Sequence, residues 1–330
     1  MSARRSTRVR SLGGLVLLAS LVAGCGGYDA TRVPEPAAAP GTPTTEATTP
    51  PECGEATRSY APTGALPGPT ELPSGSTMAE IRERGRLIAG VSADTYLMAS
   101  RNPLNGQIEG FDIDMVKQVA RAIFGSDDPR FIQLRVITAA DRIPLLQSQE
   151  VDVVVRNMTI NCARWEDIAF SAEYYRSGQK LMVRQDLADA GVDSVDELDG
   201  VRVCAPTGTS SLDNIARLAP DAVVVPAGTH TGCLVKFQQG EVDAITGDDT
   251  VLAGLAAQDP YAVVPEQETF TDEPYGIGVN ESDVDLVRFV NSVLERMSTD
   301  GSWQTSYQQW LQPTLGKGTG QPQPIYGRTP

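Results

Sequence analysis

Val151-Asp-Val-Val-Val-Arg-Asn-Met-Thr-Ile-Asn-Cys-Ala-Arg164, running on to Phe170-Ser171 and Tyr174-Tyr175, is the stretch whose reading decides the fold. Val151 to Val155 is an apolar, β-branched run of the kind that fills a strand buried on both faces. It ends in small polar residues, Asn157, Thr159 and Asn161, where a strand is expected to hand over to a helix. Free N–H groups at a helix start attract anions, and α/β folds bind ligands at strand carboxyl ends. Arg164 falls in the first turns beyond and has the reach to clamp a carboxylate through paired N–H···O bonds. Two plainer uses compete: Asn157 and Thr159 as ordinary caps, and Arg164 paired with Glu166 or Asp167 on an exposed helix face.

The first residues read as a processing signal. Arg4, Arg5, Arg8 and Arg10 precede an apolar run, Leu12 to Val22, too short to span a bilayer, so 1–24 is expected to be a signal peptide. Its end, Leu21-Val-Ala-Gly-Cys25, resembles the lipobox of bacterial lipoproteins, which implies lipidation at Cys25 and a membrane attachment through the N-terminus. With Cys25 modified, Cys53, Cys162, Cys204 and Cys233 remain. An even number in an exported chain suggests two disulfides, and Cys204 with Cys233 and Cys53 with Cys162 are the expected pairs. Scattered cysteines and a single histidine, His230, disfavour a metal site, and no cofactor is expected. His230 is expected to lie exposed in a Gly/Thr loop.

Residues 25–76 are rich in Pro, Thr, Ala and Gly and are expected to form a flexible linker; 313–330 reads as a flexible tail. A net charge of −15 with no basic cluster argues against nucleic acid. Between linker and tail, strands and helices alternate. Helices are expected at 78–84, from 110–112 through an apolar stripe Met115, Val116, Val119, Ala120, Ile123 and Phe124, at 142–147 and at 212–218. Strands are expected at 86–91, 131–137, 151–155, 181–183, 202–205, 223–225 and 242–245. Ser282 with Asp285 suggests a capping-box start for a helix carrying Leu286, Phe289, Val290, Val293, Leu294 and Met297, and Trp303, Tyr307, Trp310 and Leu311 mark a last one. Such alternation means βαβ units and mostly parallel sheets.

Two more strand ends repeat the first. Arg202 to Ala205 runs into Pro206-Thr-Gly-Thr-Ser-Ser211, where Thr207, Thr209 and Ser210 offer hydroxyls and N–H groups to an anion or simply cap a helix. Val242 to Ile245 runs into Thr246-Gly-Asp248, an acid able to hold an ammonium or to cap the next helix. If these ends face one cleft, a zwitterion fits between them.

In order and spacing, Gly110-Phe-Asp-Ile-Asp114, Leu146-Gln-Ser-Gln-Glu-Val-Asp-Val153, Met158-Thr-Ile160 with Arg164, Gly208-Thr-Ser210, Val242-Asp-Ala244 with Asp248, and Tyr275-Gly-Ile277 resemble the polar amino-acid-binding proteins of bacterial ABC importers, extracellular solute-binding protein family 3. The resemblance covers 77–312. It implies an α/β, two-lobed periplasmic-binding-protein fold of type II, with lobe 1 at 77–175 plus 277–312, lobe 2 at 179–273, two hinge crossings, and the ligand in the interlobe cleft. It also implies that Arg164, Thr159, Thr209 and Ser210 bind an α-carboxylate, with Asp248 and the Asn157 carbonyl on the α-ammonium. Asp94 and Arg156 would face the ligand side chain, with Arg101 as a further candidate, which fits glutamate, glutamine, aspartate or asparagine. Pro206 and Gly247 depart from residues that glutamine binders carry there, and Asn157 and Ser210 replace frequent glycines. The implied partners are an ABC permease or, alternatively, a membrane sensor protein, and the chain is expected to act as a monomer. An enzyme on this fold, such as a cyclohexadienyl dehydratase, would need a general acid in the cleft and no ammonium site.

Overall fold

The computed structural model describes residues 53–329; the expected signal peptide, Cys25 and the first part of the expected linker lie outside the described residues. The Val151–Val155 run does become a sheet centre. Val153–Val154 is the ladder-forming core of a five-stranded sheet ordered Ile132–Val136, Leu87–Val91, Val153–Val154, Gly278–Asn280, Ile168–Phe170. The first three strands are parallel and Gly278–Asn280 runs antiparallel to both its neighbours. All of Val151, Val153, Val154 and Val155 are buried, as an apolar run without alternation requires.

The helical stripe predicted for residues 115–124 covers one face of this sheet. In Phe111–Phe124, Met115, Val116, Val119, Ala120 and Ile123 are fully or almost fully buried, and they pack with Leu286, Phe289, Val290, Val293 and Leu294 of Val284–Asp300 and with Trp303 and Tyr307 of Ser302–Trp310. Gly110 precedes the first helix at φ 141°, and a Cβ there would lie 2.3 Å from the Met98 carbonyl oxygen, so the turn admits only glycine. The capping reading of Ser282 with Asp285 is corrected. The helix starts at Val284, and the Asp285 carboxylate instead accepts from the Thr77 N–H (2.8 Å) and hydroxyl (2.7 Å), stitching it to the Thr77–Arg84 helix, whose own cap is Ser76.

Lobe 2 is a six-stranded sheet. Val223–Ala227, Arg202–Pro206 and Ala244–Asp248 are parallel; Tyr175–Arg184 joins antiparallel to Ala244–Asp248 and also pairs with Ala262–Val263 and Thr271–Tyr275. The chain leaves lobe 1 along Tyr175–Arg184 and returns along Thr271–Tyr275, and these two crossings are hydrogen-bonded to each other from Tyr175↔Tyr275 to Thr271↔Gln179. Lobe 2 buries an apolar cluster on each side of its sheet, one around Cys204, Cys233, Phe237 and Leu252, the other around Leu181, Val203 and Ile215.

Both expected disulfides form, Cys53–Cys162 and Cys204–Cys233. The first overturns part of the linker reading. From Cys53 onward the chain is packed, not free: Arg58–Ser59 pairs in parallel with Ile325–Tyr326, and Ser59 is fully buried. Asn291 donates to the Ser59 hydroxyl (3.0 Å) and to the Tyr60 carbonyl (2.8 Å). The tail is held equally, with Gln321 on the Leu294 carbonyl and the Arg328 guanidinium 3.6 Å from the Trp165 ring centroid. A Pro/Gly-rich composition supplies no periodicity to read, yet extended segments need only a few anchors and a covalent staple to become part of a domain.

Candidate functional site

Four side chains implicated by sequence converge where the lobes touch. Thr159, in the turn after Val153–Val154, places its hydroxyl 3.1 Å from that of Ser210, the first residue of the Ser210–Leu218 helix of lobe 2. Arg164 lies beside them, 8 % exposed, with one Nη donating to the Thr159 carbonyl at 2.5 Å and the other reaching the Gly208 carbonyl across the cleft at 3.5 Å. Asp248 ends Ala244–Asp248 and is 5 % exposed.

Burial acts on both titratable members. Burial lowers the Arg164 pKa from its ordinary value, opposed by the carboxylates of Glu273, Asp213 and Asp248. Burial pushes the Asp248 carboxyl up to about 8, with the negative charge of Glu273 adding to it, against a hydrogen bond from the Tyr275 hydroxyl (2.6 Å). Asp248 precedes Asp249–Ala256 but makes no capping bond with its side chain. Among the described residues no ion pair includes Arg164 or Asp248, so Arg164 pairs with neither Glu166 nor Asp167. A buried guanidinium without a direct ion pair is costly in a folded protein, and a ligand carboxylate relieves that cost, while a ligand ammonium favours ionisation of Asp248.

The expected helix after Asn157–Asn161 is corrected. Only a three-residue 3-10 turn, Arg164–Glu166, forms, so this junction offers a guanidinium and no helix N-terminus. Asn157 sits at φ 34°, a left-handed position that asparagine tolerates, and its N–H donates to Asp112 (2.9 Å). Asp112 is fully buried under Tyr174 and its carboxyl rises to about 6 through burial, opposed by those hydrogen bonds and by Arg156. At the second junction Thr209 is a true cap, accepting from Leu212 N–H and donating to the Pro206 carbonyl, so its hydroxyl is already occupied.

Two expected residues do not join. Thr207 is exposed and its hydroxyl turns to the Ala227 carbonyl; Arg101 is exposed and binds the Gly106 carbonyl of its own hairpin. Asp94 touches lobe 2, and Arg156 is buried within lobe 1. Asp94 accepts from Thr231 of lobe 2 at 2.9 Å and from Ser92 at 2.7 Å. Burial would raise its carboxyl, but those bonds and the charge of Arg156 hold it below the usual range. Arg156 is 1 % exposed and donates through Nε to the Ile137 carbonyl.

Sequence reading missed three members. Glu273, 1 % exposed on the return crossing, accepts from Thr159 (2.5 Å) and Ser210 (2.7 Å) on one oxygen and from Thr271 and Asn214 on the other. Arg142, 3 % exposed, reaches from lobe 1 to the Gly208 carbonyl at 2.7 Å; a Cβ on Gly208 would come within 2.7 Å of Ala140 Cα, so glycine is what lets the lobes meet here. His230, expected exposed, is 2 % exposed at the start of His230–Gln238. A cavity of 660 Å³ opens at the hinge, lined in part by Tyr175, Lys180, Asp249, Trp303 and Tyr307; none of the expected ligand residues lines it.

Residues 87–313 match the model of the bacterial extracellular solute-binding proteins, family 3. The chain belongs to that family. Its family-3 relatives include the ABC transporter glutamine-binding protein GlnH of Bacillus subtilis, 35% identical over 71% of this chain and 84% of that protein. The glutamate-binding protein GluB of Corynebacterium efficiens is 33% identical over 71% and 80%. Among solved structures, a mutant of ArgBP from T. maritima superposes with a TM-score of 0.63 at 30% identity, covering 71% of this chain and 98% of that one. This is therefore a two-lobed, type II solute-binding protein of an extracellular family, a binding protein and not an enzyme. No helix among the described residues is long and apolar enough to cross a membrane.

Proposed function

We propose that this family-3 protein captures glutamine, glutamate, asparagine or aspartate in the interlobe cleft and delivers it to an ABC permease for import. Arg164 takes the α-carboxylate with N–H groups at the start of Ser210–Leu218 and with the Thr159 and Ser210 hydroxyls, which turn to it from Glu273 when ligand binds; Asp248 takes the α-ammonium with the Asn157 carbonyl; Arg156 and Asp94 face the side chain. The observation that carries this reading is a buried Arg164 and a buried Asp248 at one lobe contact, neither of them in a direct ion pair among the described residues. Zwitterion recognition needs both charges, and few charge-assisted bonds are required: at roughly 1.5–3 kcal/mol each, three to five reach micromolar affinity. Relatives whose names state glutamine, glutamate, and glutamate/glutamine/aspartate/asparagine binding support the ligand class.

The protein acts as a monomer at the outer face of the cytoplasmic membrane, in the periplasm or cell envelope, anchored by lipid at Cys25. A thermal-shift screen of the twenty amino acids tests the ligand reading. Stabilisation confined to the four named ligands is expected, and stabilisation by none of them, or by lysine or leucine equally, contradicts it.

A further inference from the structure

Asp249-Thr-Val-Leu-Ala-Gly-Leu-Ala256 is a lobe 2 helix with a glycine, Gly254, in its interior. Glycine weakens a helix interior relative to alanine, so its place here calls for a cause outside the helix. That cause lies on lobe 1. A Cβ on Gly254 would stand 2.6 Å from the Tyr96 carbonyl oxygen, and the three nearest atoms beyond the helix itself all belong to Tyr96. Gly254 is buried, and its neighbour Ala253 packs against the lobe 1 core. Gly208 approaches Ala140 of lobe 1 in the same way, but its φ of 75° already demands glycine, so only Gly254 isolates the contact between lobes.

Both sides of this contact are fixed. Next to Tyr96, Leu97 holds φ 75° and is buried, and the Leu97 and Met98 carbonyls accept from the N–H groups of Phe111 (3.0 Å) and Asp112 (2.9 Å) at the start of Phe111–Phe124. The Tyr96 carbonyl therefore belongs to a turn pinned to a core helix and cannot swing away as a side chain would. On lobe 2, the Thr250 hydroxyl lies 2.9 Å from that of Tyr275 on the return crossing, which donates to Asp248. At 1.5 Å of rise per residue, Gly254 sits about 9 Å along the same rigid helix from Asp248. Ordinary contact starts at 3.4 Å, so a methyl group at 254 would part helix and turn by about 0.8 Å. Thr231 of lobe 2 donates to Asp94, on the same lobe 1 segment, at 2.9 Å, and a bond stretched that far is lost.

We propose that Gly254 sets the depth of lobe closure. Its missing side chain lets the helix that follows Asp248 seat on the Tyr96 carbonyl, and that seating tightens the cleft without touching the ligand. Gly254 is thus a positioning residue for ligand capture. The inference rests on the amino-acid-binding reading above and adds to it a residue outside the ligand-binding set.

Gly254→Ala tests this, because alanine favours the helix and the nearest atoms its methyl meets are on lobe 1. The full-length chain and the variant are titrated calorimetrically with glutamine, glutamate, asparagine and aspartate, and the tightest ligand is carried into stopped-flow and small-angle scattering. The variant is expected to bind at least about tenfold more weakly, which is what one lost hydrogen bond between the lobes amounts to. The loss should appear as faster dissociation at an unchanged association rate, with a smaller ligand-induced fall in radius of gyration. Stoichiometry should match the wild type and the melting temperature of the ligand-free protein should not fall, both of which a misfolded variant would lower. Gly254→Ser, equally close to Tyr96, should behave alike. Affinity within threefold of wild type with full compaction, or a lowered stoichiometry and melting temperature in both variants, overturns the seating role while the amino-acid reading stands. Failure of the wild-type chain to bind any of the four ligands overturns the amino-acid reading, and this inference with it.

Discussion

The two strand ends that meet across the cleft, Val151 to Arg164 on lobe 1 and Arg202 to Ser211 on lobe 2, look alike in sequence and work differently. Both are apolar strands ending in hydroxyl and amide side chains. On lobe 2 the turn opens a nine-residue helix, and the Thr209 hydroxyl closes its first turn as any N-cap would. On lobe 1 no such helix forms, and a buried guanidinium stands in its place. One half of the site therefore offers backbone N–H groups and a modest dipole, the other a full charge held by carbonyl oxygens. Each junction also carries a disulfide, at Cys162 and at Cys204, so both halves are covalently braced.

The bracing differs in expected size. Cys53–Cys162 closes a span of 109 residues and Cys204–Cys233 one of 29. Loop-closure entropy then assigns about 5 kcal/mol to the first and about 3.5 kcal/mol to the second. Paired Cys→Ser variants, compared by chemical denaturation, should show the lobe 1 bridge as the larger loss; the reverse order would mean that the packed 53–76 segment is held by its side-chain anchors alone.

Affinity separates the two halves next. Arg164→Ala should lose roughly 2–5 kcal/mol of ligand binding, because it strands a desolvated carboxylate. Thr209→Ala should cost about 1 kcal/mol of stability as a lost cap, with a smaller effect on affinity. If Thr209→Ala weakened binding as much as Arg164→Ala, the division between charge on one lobe and backbone on the other would fail.

Asp248 adds a pH signature to lobe 2. Its carboxyl, up at about 8 in the empty protein, must ionise to hold an ammonium, so binding near pH 7 should expel a proton. Affinity should rise with pH up to about 8, by at most about tenfold per unit. Stability of the empty protein runs the other way. The folded pKa is raised above the unfolded one, so folded Asp248 keeps a proton between about pH 4 and 8 that the unfolded chain has lost, and its contribution declines as pH rises through that window. Titrations in buffers of different ionisation enthalpy measure the proton, and Asp248→Asn should abolish its release.

Much of the fold could be read because it rests on local pattern. The buried run at Val151–Val155 and the stripe from Met115 to Ile123 required no knowledge of the third dimension beyond period, and parity set the number of disulfides though not which cysteines pair. The candidate site was legible where a charged residue stood at a strand end and the fold buried it at the lobe contact, as with Arg164 and Asp248. It was illegible where position alone gives a residue its role. Glu273 in Thr271-Asp-Glu-Pro-Tyr275 reads as a surface acid until the return crossing is laid beside Thr159 and Ser210. His230, flanked by Thr229 and Thr231-Gly232, reads as loop until Thr229 caps the helix and Thr231 docks on Asp94. Arg101 and Thr207 failed for the converse reason: each found a carbonyl close to its own strand.

The zwitterion clamp is tested most directly without altering the protein. Calorimetry with glutamine, with the analogue lacking its α-carboxylate (4-aminobutanamide) and with the one lacking its α-ammonium (4-carbamoylbutanoic acid) removes one charge at a time from the ligand. If Arg164 and Asp248 each hold one of those charges, both analogues should bind at least about a hundredfold more weakly than glutamine, since each leaves a buried partner unpaired. Either analogue binding within threefold of glutamine would contradict the clamp.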